Sequence, residues 1–184
     1  MTIALIGYRG AGKSAVGHTL ARLLQWPCID SDEEIEKRAG CSIQEIFLRH
    51  GEAVFRQWES QVLRELVTKR HTVLALGGGV VLLPENRRLL APLATVWLTA
   101  PASVLYERLA ADPKSAVRRP ALTHLGDREE IERLLEQRRP LYEECARLRI
   151  DTSGLSVEEV ARQIARWWQL GAPPMPVASE HESG

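Results

Sequence analysis

The sequence predicts an α/β domain on a mainly parallel sheet, and three features carry that expectation. Short apolar runs recur without alternation: Ile3-Ala4-Leu5-Ile6, Thr72-Val73-Leu74-Ala75-Leu76 and Thr95-Val96-Trp97-Leu98. Strands buried on both faces require such runs. Between them apolar residues return at helical spacing, beginning with Val16, Leu20, Leu23 and Leu24. The first two runs also end in glycine, at Gly7 and at Gly77-Gly78-Gly79.

Taken in order, residues 3–6 form a strand, the glycines a loop and the spaced apolar residues a helix. A second short strand around Pro27 to Asp30 leads into Ser31-Asp32-Glu33-Glu34, where Ser31 is expected to cap a helix and Glu34 to close the capping box. Gly40 stops that helix. Ser42 to Glu45 repeats the box, Gly51 ends a short helix, and a longer one with Phe55, Val62 and Leu66 on one face reaches about Lys69. The strand at 72–76 follows, then the strand at 95–98 and a helix opened by Pro101. Residues 112–125, with Pro113, Lys114, Arg118, Arg119 and Pro120, read as a mobile loop. Beyond it come a charged helix from about Asp127 to Ala146, a short strand from Arg147 to Asp151 and an amphipathic helix over 156–170. Residues 171–184 are rich in Pro, Ser and Glu and have little to bury, so a disordered tail is expected. Ligands of such a sheet sit beyond the carboxyl ends of its strands, here after residues 6, 30 and 76.

At 184 residues the chain suits one domain, 1–170, plus the tail, and 45% hydrophobic residues suffice for a core. The 24 Lys+Arg balance the 24 Asp+Glu, so no global field favours nucleic acid or an anionic membrane, and any anion must be gripped locally. Cys28, Cys41 and Cys145 are odd in number and widely spaced, which argues against a disulfide framework or a metal knuckle. Leu89 to Tyr106 is broken by Pro92 and Pro101, and the N-terminus lacks signal-peptide character. A cytoplasmic, monomeric protein is expected.

Gly7-Tyr8-Arg9-Gly10-Ala11-Gly12-Lys13-Ser14 is G-x-x-x-x-G-K-S between a buried strand and a helix, the context a P-loop requires. Its glycines bring backbone N–H groups to phosphate oxygens, the helix N-terminus adds positive potential, Lys13 reaches the β- and γ-phosphates, and the Ser14 hydroxyl can ligate Mg²⁺. Asp30 and Asp32 end the second strand, where two carboxylates could divide the work of holding hydrated Mg²⁺ and accepting a hydroxyl proton; without the P-loop, carboxylates there more commonly just suit a helix dipole. Arg56, Arg138 and Arg139 read singly as solvated surface arginines, with Pro140 expected to bend its helix. Gly77, Gly78 and Gly79 let a ligand press on the backbone.

Together these blocks resemble the shikimate kinase family, through GYRGAGKS, IDSDEEIEKRAG, GEAVFRQWE, LALGGGV, RRPAL and QRRPLYEE in the family's order over residues 1 to about 170. The resemblance implies the nucleoside-monophosphate-kinase-like P-loop fold, a three-layer sandwich with a five-stranded parallel sheet of order 2-3-1-4-5 and a mobile lid. It implies transfer of the γ-phosphoryl of ATP, with Mg²⁺, to the 3-hydroxyl of shikimate, a step toward chorismate and the aromatic amino acids. By that resemblance Gly10, Ala11, Gly12, Lys13, Ser14 and Ala15 hold ATP, Ser14 binds Mg²⁺ and Asp30 reaches it through water. Asp32 is the candidate base and also binds shikimate hydroxyls. Arg56, Gly77, Gly78, Gly79 and Arg138 bind the substrate, the two arginines taking its carboxylate. Arg119 matches the lid arginine, with Arg118 as its neighbouring alternative, and Arg108 stands where the family stacks a side chain on adenine. Two departures stand out: Ala15 replaces the family's usual Ser or Thr, and the segment from Arg108 to Arg119 is longer. A gluconate-kinase-type enzyme and a non-catalytic sensor of shikimate or nucleotide are the alternative readings.

Overall fold

The computed structural model describes residues 1–112 and 128–171. Five strands, β1 (Ile3–Ile6), β2 (Cys28–Asp30), β3 (Val73–Ala75), β4 (Ala94–Thr99) and β5 (Leu148–Asp151), form one sheet in the order β2-β3-β1-β4-β5. All four pairings are parallel. The register sets Asp30 and Leu5 on either side of Ala75, so β2, β3 and β1 end at one level. The glycine-rich loop, the Asp30–Asp32 segment and the glycine triplet therefore leave the sheet side by side.

Around the sheet lie α1 (Lys13–Leu24), α2 (Ser31–Ala39), α3 (Ile43–Leu66), α4 (Pro84–Leu90), α5 (Ala102–Ala111), α6 (Arg128–Cys145) and α7 (Val157–Gln169). Successive β1 residues point to opposite faces, and each face has its own core. Ile3 and Leu5 pack with Val16, Leu20, Val96, Leu105 and Ile164. Ala4 and Ile6 pack with Phe55, Leu63, Leu74, Trp97 and Tyr142. α1, α5 and α7 thus cover one face and α2, α3 and α4 the other, with α6 contributing Ile131 to the first core and Tyr142 to the second.

Local chemistry explains most boundaries. Gly40 ends α2 at φ +68°, and Ser42 and Glu45 form the expected capping box at the start of α3. Gly51, at φ +78° and ψ 175°, is not helical, so α3 consists of two helices that meet at a kink there, as expected. That element ends at Leu66, short of Lys69, because residues 67–68 turn back on its last carbonyls. Ser31 is not the cap of α2: the Asp30 carboxylate accepts the Asp32 and Glu33 N–H groups, and Ser31 is the first helical residue. α4, opened by Pro84 in its first turn, is a helix too short for its apolar spacing to announce it in the sequence. α6 contains Pro140 with helix on both sides. The expected lid, apart from Asp112, and the tail beyond Gly171 lie outside the described residues.

Gly7 turns out of β1 at φ +141°, and a Cβ there would stand 2.2 Å from the Leu98 carbonyl oxygen of β4. Gly7→Ala should lower the free energy of unfolding by about 2–4 kcal/mol, because backbone on both sides must move. Urea denaturation tests this, and a change under about 0.5 kcal/mol would mean that the loop and β4 separate freely.

Candidate active site

The glycine-rich loop wraps the start of α1, with Gly10 at φ +79° and Gly12 at φ +89°. Ala11 is buried, and its N–H donates to the Tyr8 carbonyl at 3.2 Å. Lys13 Nζ donates to the Gly7 and Tyr8 carbonyls at 2.8 and 2.9 Å, which holds its ammonium in the loop. Ser14 Oγ donates to Asp30 Oδ2 at 2.5 Å, while Asp30 Oδ1 accepts from the Asp32 N–H at 2.9 Å. One carboxylate therefore joins the first turn of α1 to the first turn of α2. Arg108 Nη1 lies 2.9 Å from Thr152 Oγ1 and 3.4 Å from the Gly10 carbonyl, and Nη2 donates to the Thr152 carbonyl at 2.8 Å. This side chain ties α5 and the segment after β5 to the loop. Ala15 is exposed on the first turn of α1.

Beside the loop stands the glycine triplet. Its Gly77 N–H donates to Ser31 Oγ at 2.9 Å, which gives the supposed cap residue its actual partner. A Cβ on Gly78 would lie 3.3 Å from the Arg9 nitrogen and 3.4 Å from the Gly7 carbonyl oxygen, so the triplet packs directly on the loop backbone. A Cβ on Gly79 would lie 2.1 Å from Arg56 Nη1, which means the guanidinium occupies the volume of the missing side chain. Arg56 is 8% exposed and Arg138 is 9% exposed, which corrects the reading of both as solvated surface groups. Arg139, next in sequence, is exposed.

The two arginines are balanced differently. Arg56 Nη1 donates to Glu59 Oε2 at 2.6 Å, and Nη2 donates to Glu52 Oε1 at 3.0 Å. Burial works against the Arg56 charge, but the attraction of Glu59 and then Glu52 outweighs it and raises the pKa above the ordinary arginine value. Arg138 donates to the Gly78 carbonyl at 3.3 Å and lies over the Tyr8 ring at 5.5 Å. Among the described residues no carboxylate pairs with it. A planar cation held over glycine backbone, with its charge uncompensated, is suited to an incoming carboxylate.

A sequence model described as shikimate kinase matches residues 9–169. The chain belongs to the shikimate kinase family. A shikimate kinase of Rhodopirellula baltica is 42% identical over 163 residues, covering 88% of this chain and 87% of the relative. The solved structure of a shikimate kinase from Acinetobacter baumannii in complex with shikimate superposes with a TM-score of 0.85 at 36% identity, covering 92% of each chain. A gluconokinase from Sinorhizobium meliloti reaches a TM-score of 0.57 at 22% identity over 93% of each chain, a likeness of fold alone.

For this shikimate kinase family member, the structure brings Lys13, Ser14, Asp30 and Asp32 together beyond the carboxyl ends of β1 and β2, with Gly77, Gly78, Gly79, Arg56 and Arg138 beside them. Arg118 and Arg119 lie outside the described residues. Residues that the sequence did not assign to the site also belong here: Glu59, Ser31, Thr152 and Tyr142. Glu59 was legible, since an acid three residues after an arginine on one helix face is within pairing range. The partners of the other three are remote in sequence.

Removing Glu59 leaves the Arg56 guanidinium buried with half-exposed Glu52 as its remaining carboxylate. Glu59→Ala should cost about 3 kcal/mol of stability, and Glu52→Ala under about 1 kcal/mol. Chemical denaturation ranks the two, and an equal or reversed ranking would place the neutralising charge on Glu52.

Proposed function

We propose that the loop and the glycine triplet form the two halves of one phosphoryl-transfer site. As a shikimate kinase, the chain catalyses the ATP-dependent phosphorylation of shikimate, with the 3-hydroxyl as acceptor, a step toward chorismate and the aromatic amino acids. The observation that supports the division of labour is the direct packing of Gly78 against the backbone of Arg9 and Gly7, so that the triplet carrying the two arginines adjoins the glycine-rich loop without intervening side chains.

Gly10, Ala11, Gly12, Lys13, Ser14 and Ala15 hold the nucleotide, with N–H groups and the Lys13 ammonium facing its phosphates. Lys13 would exchange two carbonyl acceptors for phosphate oxygens, a trade toward full charge. Ala15 offers its backbone N–H but no hydroxyl. Arg108, fixed by Thr152 beside Gly10, borders the base, and Arg119, or Arg118, would close over the phosphates.

The donor set fits Mg²⁺: the Ser14 hydroxyl and the Asp30 carboxylate are hard oxygen groups already in contact at the mouth of the loop. Ser14 would hold the ion directly and Asp30 through water, where it would supply neutralisation of charge on the transferring group. Asp32 follows on the same helical turn, takes the hydroxyl proton and orients shikimate. Arg56 and Arg138 grip the carboxylate, and the Gly77–Gly79 backbone supports the ring. Positioning and charge supply most of the catalysis.

We read the protein as a cytoplasmic monomer of one domain, 1–170, with neither nucleic acid nor membrane as partner. Its balanced charge and three free thiols support that reading. Burial pushes Cys28 up to about 11 and Cys145 to about 12, so neither is a ready nucleophile. Among the described residues no helix is long and apolar enough to cross a membrane.

ADP release measured in parallel with shikimate, quinate and gluconate should show strong preference for shikimate, whereas faster turnover of gluconate would reject the assignment. Lys13→Ala and Asp32→Asn should each abolish turnover with little change in unfolding temperature, and near-normal kcat in Asp32→Asn would remove it as the base. Arg56→Ala and Arg138→Ala should weaken shikimate about 10- to 150-fold while sparing ATP, with lysine restoring only part. Loss of ATP affinity with shikimate spared would move that arginine to the nucleotide half.

A further inference from the structure

Tyr142 is 0% exposed, lies on α6 one turn after Arg138, and donates its hydroxyl to the Gly78 carbonyl at 2.7 Å. The same oxygen accepts from Arg138 Nη1 at 3.3 Å, the longer of the two bonds. The Tyr142 ring is stacked on Trp97 of β4, with centroids 5.5 Å apart and planes 20° apart, so the phenol has a fixed origin in the sheet. Burial first, eased by Arg138, pushes its pKa up to about 12, so the hydroxyl remains a donor at physiological pH.

The bonds around the triplet leave little freedom. The Gly77 N–H is taken by Ser31, the Gly77 carbonyl by the Val80 N–H, and the Gly79 carbonyl by the Leu82 N–H. Gly78 has no side chain to resist rotation of its peptide, and its carbonyl is the remaining handle. We propose that Tyr142 is a positioning residue for shikimate: by holding the Gly78 carbonyl it sets the tilt of the Gly78–Gly79 peptide and keeps the Arg138 guanidinium from closing fully onto that oxygen. The Arg138 donors then stay turned toward the substrate carboxylate. Without the phenol hydroxyl the guanidinium becomes the sole strong donor to a buried carbonyl and draws toward it, away from the ligand.

The inference rests on the reading of Gly78 and Arg138 as substrate groups, and the test separates the two. Tyr142→Phe removes one oxygen, leaves the stacked ring in place and leaves Arg138 to satisfy the carbonyl, so the fold should persist. KM for shikimate should rise about 5- to 10-fold, with KM for ATP within about twofold, each assay run well below the variant's unfolding temperature. Arg138→Lys, alone and combined with Tyr142→Phe, completes a cycle in which the tyrosine change should add under about twofold once the guanidinium is gone. An unchanged shikimate KM in Tyr142→Phe, or fully additive losses in the double variant, overturns the positioning role even if Arg138→Lys alone weakens shikimate. No effect of Arg138→Lys on shikimate overturns the substrate-site reading itself, and with it this role.

Discussion

Two guanidinium groups must be kept charged beside a glycine backbone almost out of reach of water, and much of this molecule follows from that constraint. Burying a cation without compensation costs several kcal/mol, so each arginine needs an arrangement of its own. Arg56 has Glu59, itself 1% exposed, with Glu52 behind it. Among the described residues Arg138 has a carbonyl and a ring face, weaker partners than a carboxylate. In the proposed site that asymmetry would let the balanced arginine hold its place and make the other the stronger attractor for a carboxylate.

That arrangement demands glycine. Arg56 lies where a Gly79 side chain would be, and Gly78 touches the nucleotide loop across a gap too tight for an unshifted Cβ. The parallel register supplies the rest, since Asp30, Ala75 and Leu5 stand in one row and the three segments beyond them emerge together. Small polar bonds between those segments, from Ser14 to Asp30 and from Gly77 to Ser31, then turn three adjacent loops into one surface.

The parts legible in the sequence were those whose chemistry is local. The strand order came through the resemblance, but the strands themselves were visible as apolar runs, and the glycine-rich loop carries its own context between a buried strand and a helix. Ser31 was assigned to the wrong task because Asp30 and Ser31 are both good capping residues, and a glycine 46 residues away decides between them. α4 was overlooked because its seven residues are too few to show a period. The burial of Arg138 and the bond of Tyr142 were invisible because a carbonyl acceptor 60 or 64 residues distant leaves no mark in local pattern, and the burial of Arg56 because it depends on packing against Gly79 of a different segment. Of the overlooked groups, Glu52 and Glu59 stood within reach of local spacing, four and three residues from Arg56 on one helix.

A crystal structure of this chain with shikimate and ADP bound would examine the arginine arrangement most directly. The shikimate carboxylate should lie within hydrogen-bond distance of both Arg56 and Arg138, its ring against Gly78 and Gly79, with Arg56 still paired to Glu59 and the Gly78 carbonyl still held by Tyr142. A carboxylate bound elsewhere, or an Arg56 that swings off Gly79 to meet solvent when the ligand arrives, would contradict the arrangement described here.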